Sequence, residues 1–130
     1  MVYKHIVMWK FKEQHNGKSA LENARWMKEQ LEALVGVVPE LLSAEVGISP
    51  ALEQAAAVPS DAAAAAEAPS NAAAVPAPAA SGEYDACLVS TFASPEALAA
   101  YKVHPKHKAI SAYCKEARVK RLAFDWWSEE

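Results

Sequence analysis

An α+β fold is what this sequence predicts, with strands and helices in the order βαββαβ forming a four-stranded antiparallel sheet under one layer of helices. Three observations lead there. Four segments alternate with the two-residue period of a strand. Between them lie segments with the three-to-four-residue apolar period of a helix, each preceded by a capping signal. Finally, 130 residues suffice for one domain with a modest core.

Residues 2–12 read as the first strand: His5, Val7, Trp9 and Phe11 point one way, Ile6 and Met8 the other. Both faces are apolar at the centre, as in a strand covered on two sides. A chain this small offers helices for only one of them, so the other calls for a partner subunit. His15-Asn16-Gly17 is a turn. Ser19 with Glu22 makes a capping box, and a helix should run to about Val35, ended by Gly36. Ala20, Ala24, Met27, Leu31 and Leu34 form its inner stripe; Trp26 falls off that stripe and reads as capping the edge of the core, with the lining of a cleft as the alternative. Pro39 precedes a second strand at about 40–49, where Leu42, Ala44, Val46 and Ile48 alternate with Ser43, Glu45 and Gly47.

Residues 50–82 break the pattern. They hold sixteen alanines and five prolines and no aromatic residue. Such a tract buries too little to offset its ordering entropy, although Glu53–Ala57 and Asp61–Ala68 have helical propensity. It is expected to be a disordered insertion in a single domain spanning residues 1–130. A third strand follows at 84–92, with Ala86, Leu88 and Phe92 on one side and Cys87 and Val89 on the other. Ser94-Pro95-Glu96 then opens a short helix with an N-cap, a proline at the first position and an acid in the first turn. His104 precedes Pro105, which pushes it out of the α region and ends that helix; Pro105 starts the next, over 105–117. The last strand covers 118–127, alternating Leu122, Phe124 and Trp126 with Arg121, Ala123 and Asp125. The arrangement is ferredoxin-like, with one sheet face left bare.

Composition excludes several classes. The net charge of −3 is carried entirely by Glu53, Asp61 and Glu67 inside the tract, and the remainder is balanced, so nothing calls for nucleic acid. The basic cluster Lys115, Arg118, Lys120 and Arg121 reads as a solvated helix end, where cations suit the macrodipole, over a phosphate-binding role. No run is apolar enough to span a bilayer, and lysines interrupt the only apolar start. Two cysteines, Cys87 and Cys114, make no disulfide framework, which implies a cytoplasmic protein with reduced thiols. There is no glycine-rich phosphate loop, no Ser/His/Asp arrangement, and no cofactor is expected.

The chemistry-bearing stretch is Tyr101-Lys102-Val103-His104-Pro105-Lys106-His107, a phenol and two imidazoles across a helix–helix joint. His107 shares a helical face with Ile110, Cys114 and Ala117 and should point inward. That fits a buried structural histidine as well as a site residue. His104 reads equally as a helix cap, and Tyr101 as a core edge. A pocket between sheet and broken helix would be bordered by Tyr101, His104 and His107 from the helices and by His5 and Trp9 from the first strand. A metal on His5, His104 and His107 lacks any carboxylate at ligand spacing, so none is expected. An inert thiol is the reading for Cys114.

That stretch, together with the opening His5–Lys12 and the closing Leu122-Ala123-Phe124-Asp125, resembles the stress-responsive α/β-barrel (Dabb) family over residues 1–49 and 83–127. The resemblance implies that two such sheets close into a dimeric α/β barrel. Some plant members of the family are polyketide cyclases using the equivalents of Tyr101 and His107. This implies His107 and Tyr101 as catalytic residues, His5, His104 and Trp9 as ligand-binding residues, and a small apolar carbonyl compound as ligand. The alternative is a non-catalytic stress-response or assembly protein whose dimer is the functional unit. A cavity of a few hundred Å³ bordered by Tyr101 and His107 favours the first; a filled core favours the second.

Overall fold

The computed structural model describes residues 1–57 and 83–129. Strand β1 (Val2–Phe11) leads into a two-stranded hairpin, β2 (Gln14–His15) and β3 (Lys18–Ser19), then into helix α1 (Ala20–Glu32). Strand β4 (Ser43–Ile48) runs into helix α2 (Pro50–Ala57). Strand β5 (Ala86–Phe92) is followed by helices α3 (Pro95–Val103) and α4 (Pro105–Ala117), and β6 (Arg118–Ser128) closes the fold. The main sheet has the order β4-β5-β1-β6 with every pair antiparallel, which is the expected ferredoxin-like topology.

Local sequence explains most boundaries. The Ser19 hydroxyl accepts from Glu22 N–H at 3.1 Å and the Glu22 carboxylate accepts from Ser19 N–H at 2.9 Å, so the capping box is formed. Asn16 and Gly17 both have positive φ, the requirement of a two-residue hairpin turn, and the expected turn joins β2 and β3 as a hairpin. Helix α1 stops at Glu32, three residues short of the expected end, because the chain turns through Gly36 at φ +92°. The tract at 50–82 begins otherwise than expected: Pro50–Ala57 is helical, and Leu52 packs against the core. Its remainder, 58–82, lies outside the described residues. Among the described residues no helix is long and apolar enough to cross a membrane.

The two sheet faces divide as the alternation requires. Val7, Trp9, Phe11, Val46, Leu88 and Phe92 turn to the helices and are buried. Met27 and Leu31 of α1 with Ile110, Cys114 and Ala117 of α4 complete the core. Trp26 packs at its edge against Tyr113, ring centroids 4.5 Å apart. The opposite face carries Ile6 paired with Val89 and Phe124, and Met8 paired with Cys87 and Leu122. Nothing among the described residues covers it: Phe124 is 64% exposed and Leu122 48%. Edge strand β6 is also uncovered towards the helices, where Arg121 and Ala123 are exposed.

Two buried polar groups were not foreseen from the sequence. Asp85 accepts from Phe11 N–H at 2.9 Å, beside the Lys10 ammonium at 3.6 Å, just where the β1–β6 register shifts. Asn23 accepts from the Tyr113 hydroxyl and donates to His15 C=O, tying α1 to α4 and the hairpin. Each satisfies a backbone or side-chain group that would otherwise be buried unpaired.

Candidate functional site

A cavity of about 280 Å³ lies between the sheet and α4. Its floor is His5, Val7 and Trp9 of β1 with Leu88 of β5; Met27 and Leu31 of α1 close one side, and His107, Ile110 and Cys114 of α4 form the roof. The alternation of β1 puts His5, Val7 and Trp9 on one face. Pro105 starts α4 so that His107 falls in its first turn above them. Where β6 is uncovered the cavity opens outward.

Of the residues singled out in the sequence, His5, Trp9 and His107 meet at this cavity. Tyr101 and His104 are not on its wall. The Tyr101 side chain is fully buried behind it, between Phe92 (ring centroids 5.1 Å) and His107 (4.3 Å). Its hydroxyl is the only buried side-chain nitrogen or oxygen among the described residues without a hydrogen-bond partner. An unpaired buried hydroxyl costs about 1–3 kcal/mol. Burial pushes the Tyr101 hydroxyl well above its usual pKa, so it is a donor throughout the ordinary pH range. His104 is a cap, as its alternative reading had it: with φ −64° and ψ 136° it ends α3 and starts α4, and its Nδ1 accepts from Lys106 N–H at 3.1 Å. The pre-proline geometry commits the His104 ring to the backbone and away from the cavity.

The hydrogen bonds fix the tautomers of the other two rings. His5 Nδ1 lies 2.5 Å from Asp125 Oδ1, and His107 Nδ1 lies 3.2 Å from Lys102 C=O. A carboxylate and a carbonyl can only accept, so both Nδ1 atoms donate, and in the neutral rings both Nε2 atoms carry a lone pair. Neither Nε2 has a hydrogen-bond partner among the described residues. Asp125 was not singled out in advance. Its signal was there: it falls on the helix-side face of the last strand and pairs in register with His5.

Both imidazoles resist protonation. For His5, burial pushes the pKa below 6.5, against the hydrogen bond and charge of Asp125. For His107, burial again lowers it, opposed by the Lys102 carbonyl and reinforced by nearby His5, Lys102 and Arg121. A ring whose folded-state pKa is depressed contributes its stability in full above pH 6.5, and that contribution is lost as pH falls through the folded value. An NMR titration is therefore expected to find both midpoints below 6.5. Asp125→Asn keeps an acceptor but removes the charge, and should lower the His5 midpoint further. A His107 midpoint at or above 6.5 would show a solvated ring and contradict the walled-in geometry. Burial raises the Cys114 thiol to about 11, leaving it protonated and unreactive at neutral pH.

No curated protein matches the sequence of this chain. Solved structures match over nearly the whole chain. A dimeric protein of unknown function with a ferredoxin-like fold from Bacteroides fragilis has TM-score 0.67 at 20% identity, covering 98% of this chain and 96% of that one. A hydroxynitrile lyase from Passiflora edulis has TM-score 0.64 at 15% identity, covering 99% and 95%. A Dabb family protein with a ferredoxin-like fold from Mesorhizobium loti has TM-score 0.60 at 13% identity, covering 99% and 98%. At such identities the likeness shows the fold alone. The sequence itself matches the family model described as the stress responsive A/B barrel domain over residues 3–67 and 70–128, running well into the alanine-rich tract. The βαββαβ order, the helix joint at His104-Pro105 and this match together show that the chain belongs to the stress-responsive A/B barrel (Dabb) family.

Proposed function

We propose that this protein is a homodimer whose subunits each hold a small apolar carbonyl compound and move a proton next to the carbonyl. The observation that carries this is the pair of lone-pair Nε2 atoms, on His107 and His5, in a cavity backed by an unpartnered tyrosine hydroxyl. In this reading His107 is the general base. Taking a proton from the carbon beside a carbonyl leaves an enolate, whose oxygen needs a donor. Tyr101 supplies it, because its hydroxyl cannot ionise at working pH and has no other acceptor among the described residues; the His107 ring beside it must give way to admit the oxygen. Asp125 holds His5 in the same tautomer as His107, and His5 and Trp9 bind the ligand body. Ring closure of the aldol type, as in polyketide cyclases, is one outcome of such an enolate. Splitting a hydroxynitrile also needs a base, which takes the hydroxyl proton as the carbonyl forms and cyanide leaves, and the Passiflora edulis lyase has the same fold.

The homodimer rests on the bare sheet face and on relatives described as dimeric, including one from Thermobifida fusca. A contiguous apolar patch across three strands marks an interaction surface.

Ligand occupancy is checked by thermal shift. At roughly 30 Å³ per water-sized unit the cavity takes about nine non-hydrogen atoms. Small apolar ketones of that size are expected to raise the unfolding temperature, with about 2.7 kcal/mol of stabilisation at hundredfold excess over Kd. No stabilisation by any compound of this size would leave the cavity as unused space and the dimer alone as the functional unit.

A further inference from the structure

We propose that the carbonyl compound in the cavity also carries an acid group and so is an amphiphilic anion, its short apolar body on the floor and a carboxylate or phosphate group at the mouth among Lys102, Lys115, Arg118 and Arg121. This deepens the proposed function and rests on the cavity being a ligand pocket. All four cations line the cavity, and among the described residues no carboxylate does. They come from three places in the chain: the end of α3, the end of α4 with the residue capping it, and edge strand β6. Cations at a helix C-terminus are ordinary, which accounts for Lys115 and Arg118. It does not account for Lys102, on another helix, or for Arg121, on a strand, converging on the same opening.

The basic cluster seen in the sequence thus divides in two. Lys120 turns to the other side of the sheet and pairs with Glu83 at 2.7 Å. Lys115, Arg118 and Arg121 turn to the cavity, and Lys102 joins them. Among the described residues none of these four has an ion-pair partner. Asp125, on the helix-side face of β6, is already engaged by His5. Four like charges at one opening repel one another, and an anion there relieves that repulsion. The apolar residues below, Val7, Trp9, Met27, Leu31 and Leu88, suit the other end of the same molecule. A ligand held by its acid group would be oriented, with its far atoms presented to His5 and His107. Orientation of this kind is what makes a general base effective.

The test is calorimetric titration of the whole protein with three eight-carbon compounds: octanoate, octyl phosphate and octan-1-ol. At least one of the two anions is expected to bind tenfold or more tightly than the alcohol, and their ratio assigns the headgroup as carboxylate or phosphate. Arg121→Gln, on an exposed strand edge, should weaken the preferred anion at least fivefold and leave the alcohol unchanged. Lys102→Gln is the second variant, from a different element, and should act in the same direction. Added salt should weaken the anions only. If the alcohol binds as tightly as both anions, or the anions bind but ignore both substitutions, the anion assignment is overturned while the pocket stands. If none of the three binds, the pocket reading itself fails.

Discussion

Phe124→Glu is expected to convert the homodimer into folded monomers. Phe124 sits on edge strand β6, on the sheet face that no helix among the described residues covers, in register with Ile6. Leu122 and Trp126 flank it on the same face, its ring lying 5.8 Å from that of Trp126. Across β1 and β5 the patch continues through Met8, Val89 and Cys87. Two copies of such a face, packed against each other about a twofold axis, make an isologous interface, so each substitution acts twice. A carboxylate placed in it is desolvated without a partner. Truncating a central aromatic anchor alone costs about 2 kcal/mol or more, and an unpaired buried charge costs about 3–5 kcal/mol. Two such sites should weaken association by at least three orders of magnitude. The fold of each subunit should survive, because the Phe124 side chain is 64% exposed within one chain. Light scattering at about 10 μM should give twice the 14.0 kDa chain mass for the wild type and the single mass for the variant. A wild-type monomer would refute the barrel, and a dimeric variant would move the interface elsewhere.

How far the sequence could be read depended on the physics behind each signal. Periodicity is a strong signal, and the burial of Val7, Trp9 and Phe11 against the exposure of Phe124 follows from it directly. The backbone rule for the residue before proline placed the α3–α4 joint at His104 to the residue. What periodicity cannot supply is contact between distant segments. Asp125 and His5 are separated by most of the chain and meet only because β6 pairs with β1 in one register. The same holds for Asp85 at the β1 irregularity and for Asn23 under Tyr113. The placement of Tyr101 shows the limit from the other side. Its short helix gave it an inward direction, but whether inward meant cavity or core depended on how Phe92 and His107 closed around it. Three of the four cations at the mouth, Lys115, Arg118 and Arg121, were legible as part of a charge cluster; that they face the cavity while Lys120 does not, and that Lys102 joins them from another helix, was not.

His107→Ala should leave a folded dimer that no longer moves the proton. The ring is half-buried, with Nδ1 donating to Lys102 C=O and Nε2 without a partner among the described residues. As a purely structural side chain it would be worth roughly 1–3 kcal/mol through packing and that one hydrogen bond. As a general base it should be worth about a hundred- to ten-thousandfold in rate. The two are separable with a ketone found to bind, by following exchange of the hydrogen beside its carbonyl for deuterium in D2O. The wild type should catalyse this exchange, and because the His107 pKa lies below 6.5 its activity should persist into mildly acidic solution. His107→Ala should abolish it with a stability loss no larger than a core histidine explains. Tyr101→Phe, which removes an unpartnered hydroxyl, should slow exchange by about a hundredfold while leaving the protein as stable as before or more so. Exchange that continues in His107→Ala but stops in His5→Ala would transfer the base role to the His5–Asp125 pair. A ketone that binds the wild type without any exchange would remove catalysis and leave a binding protein.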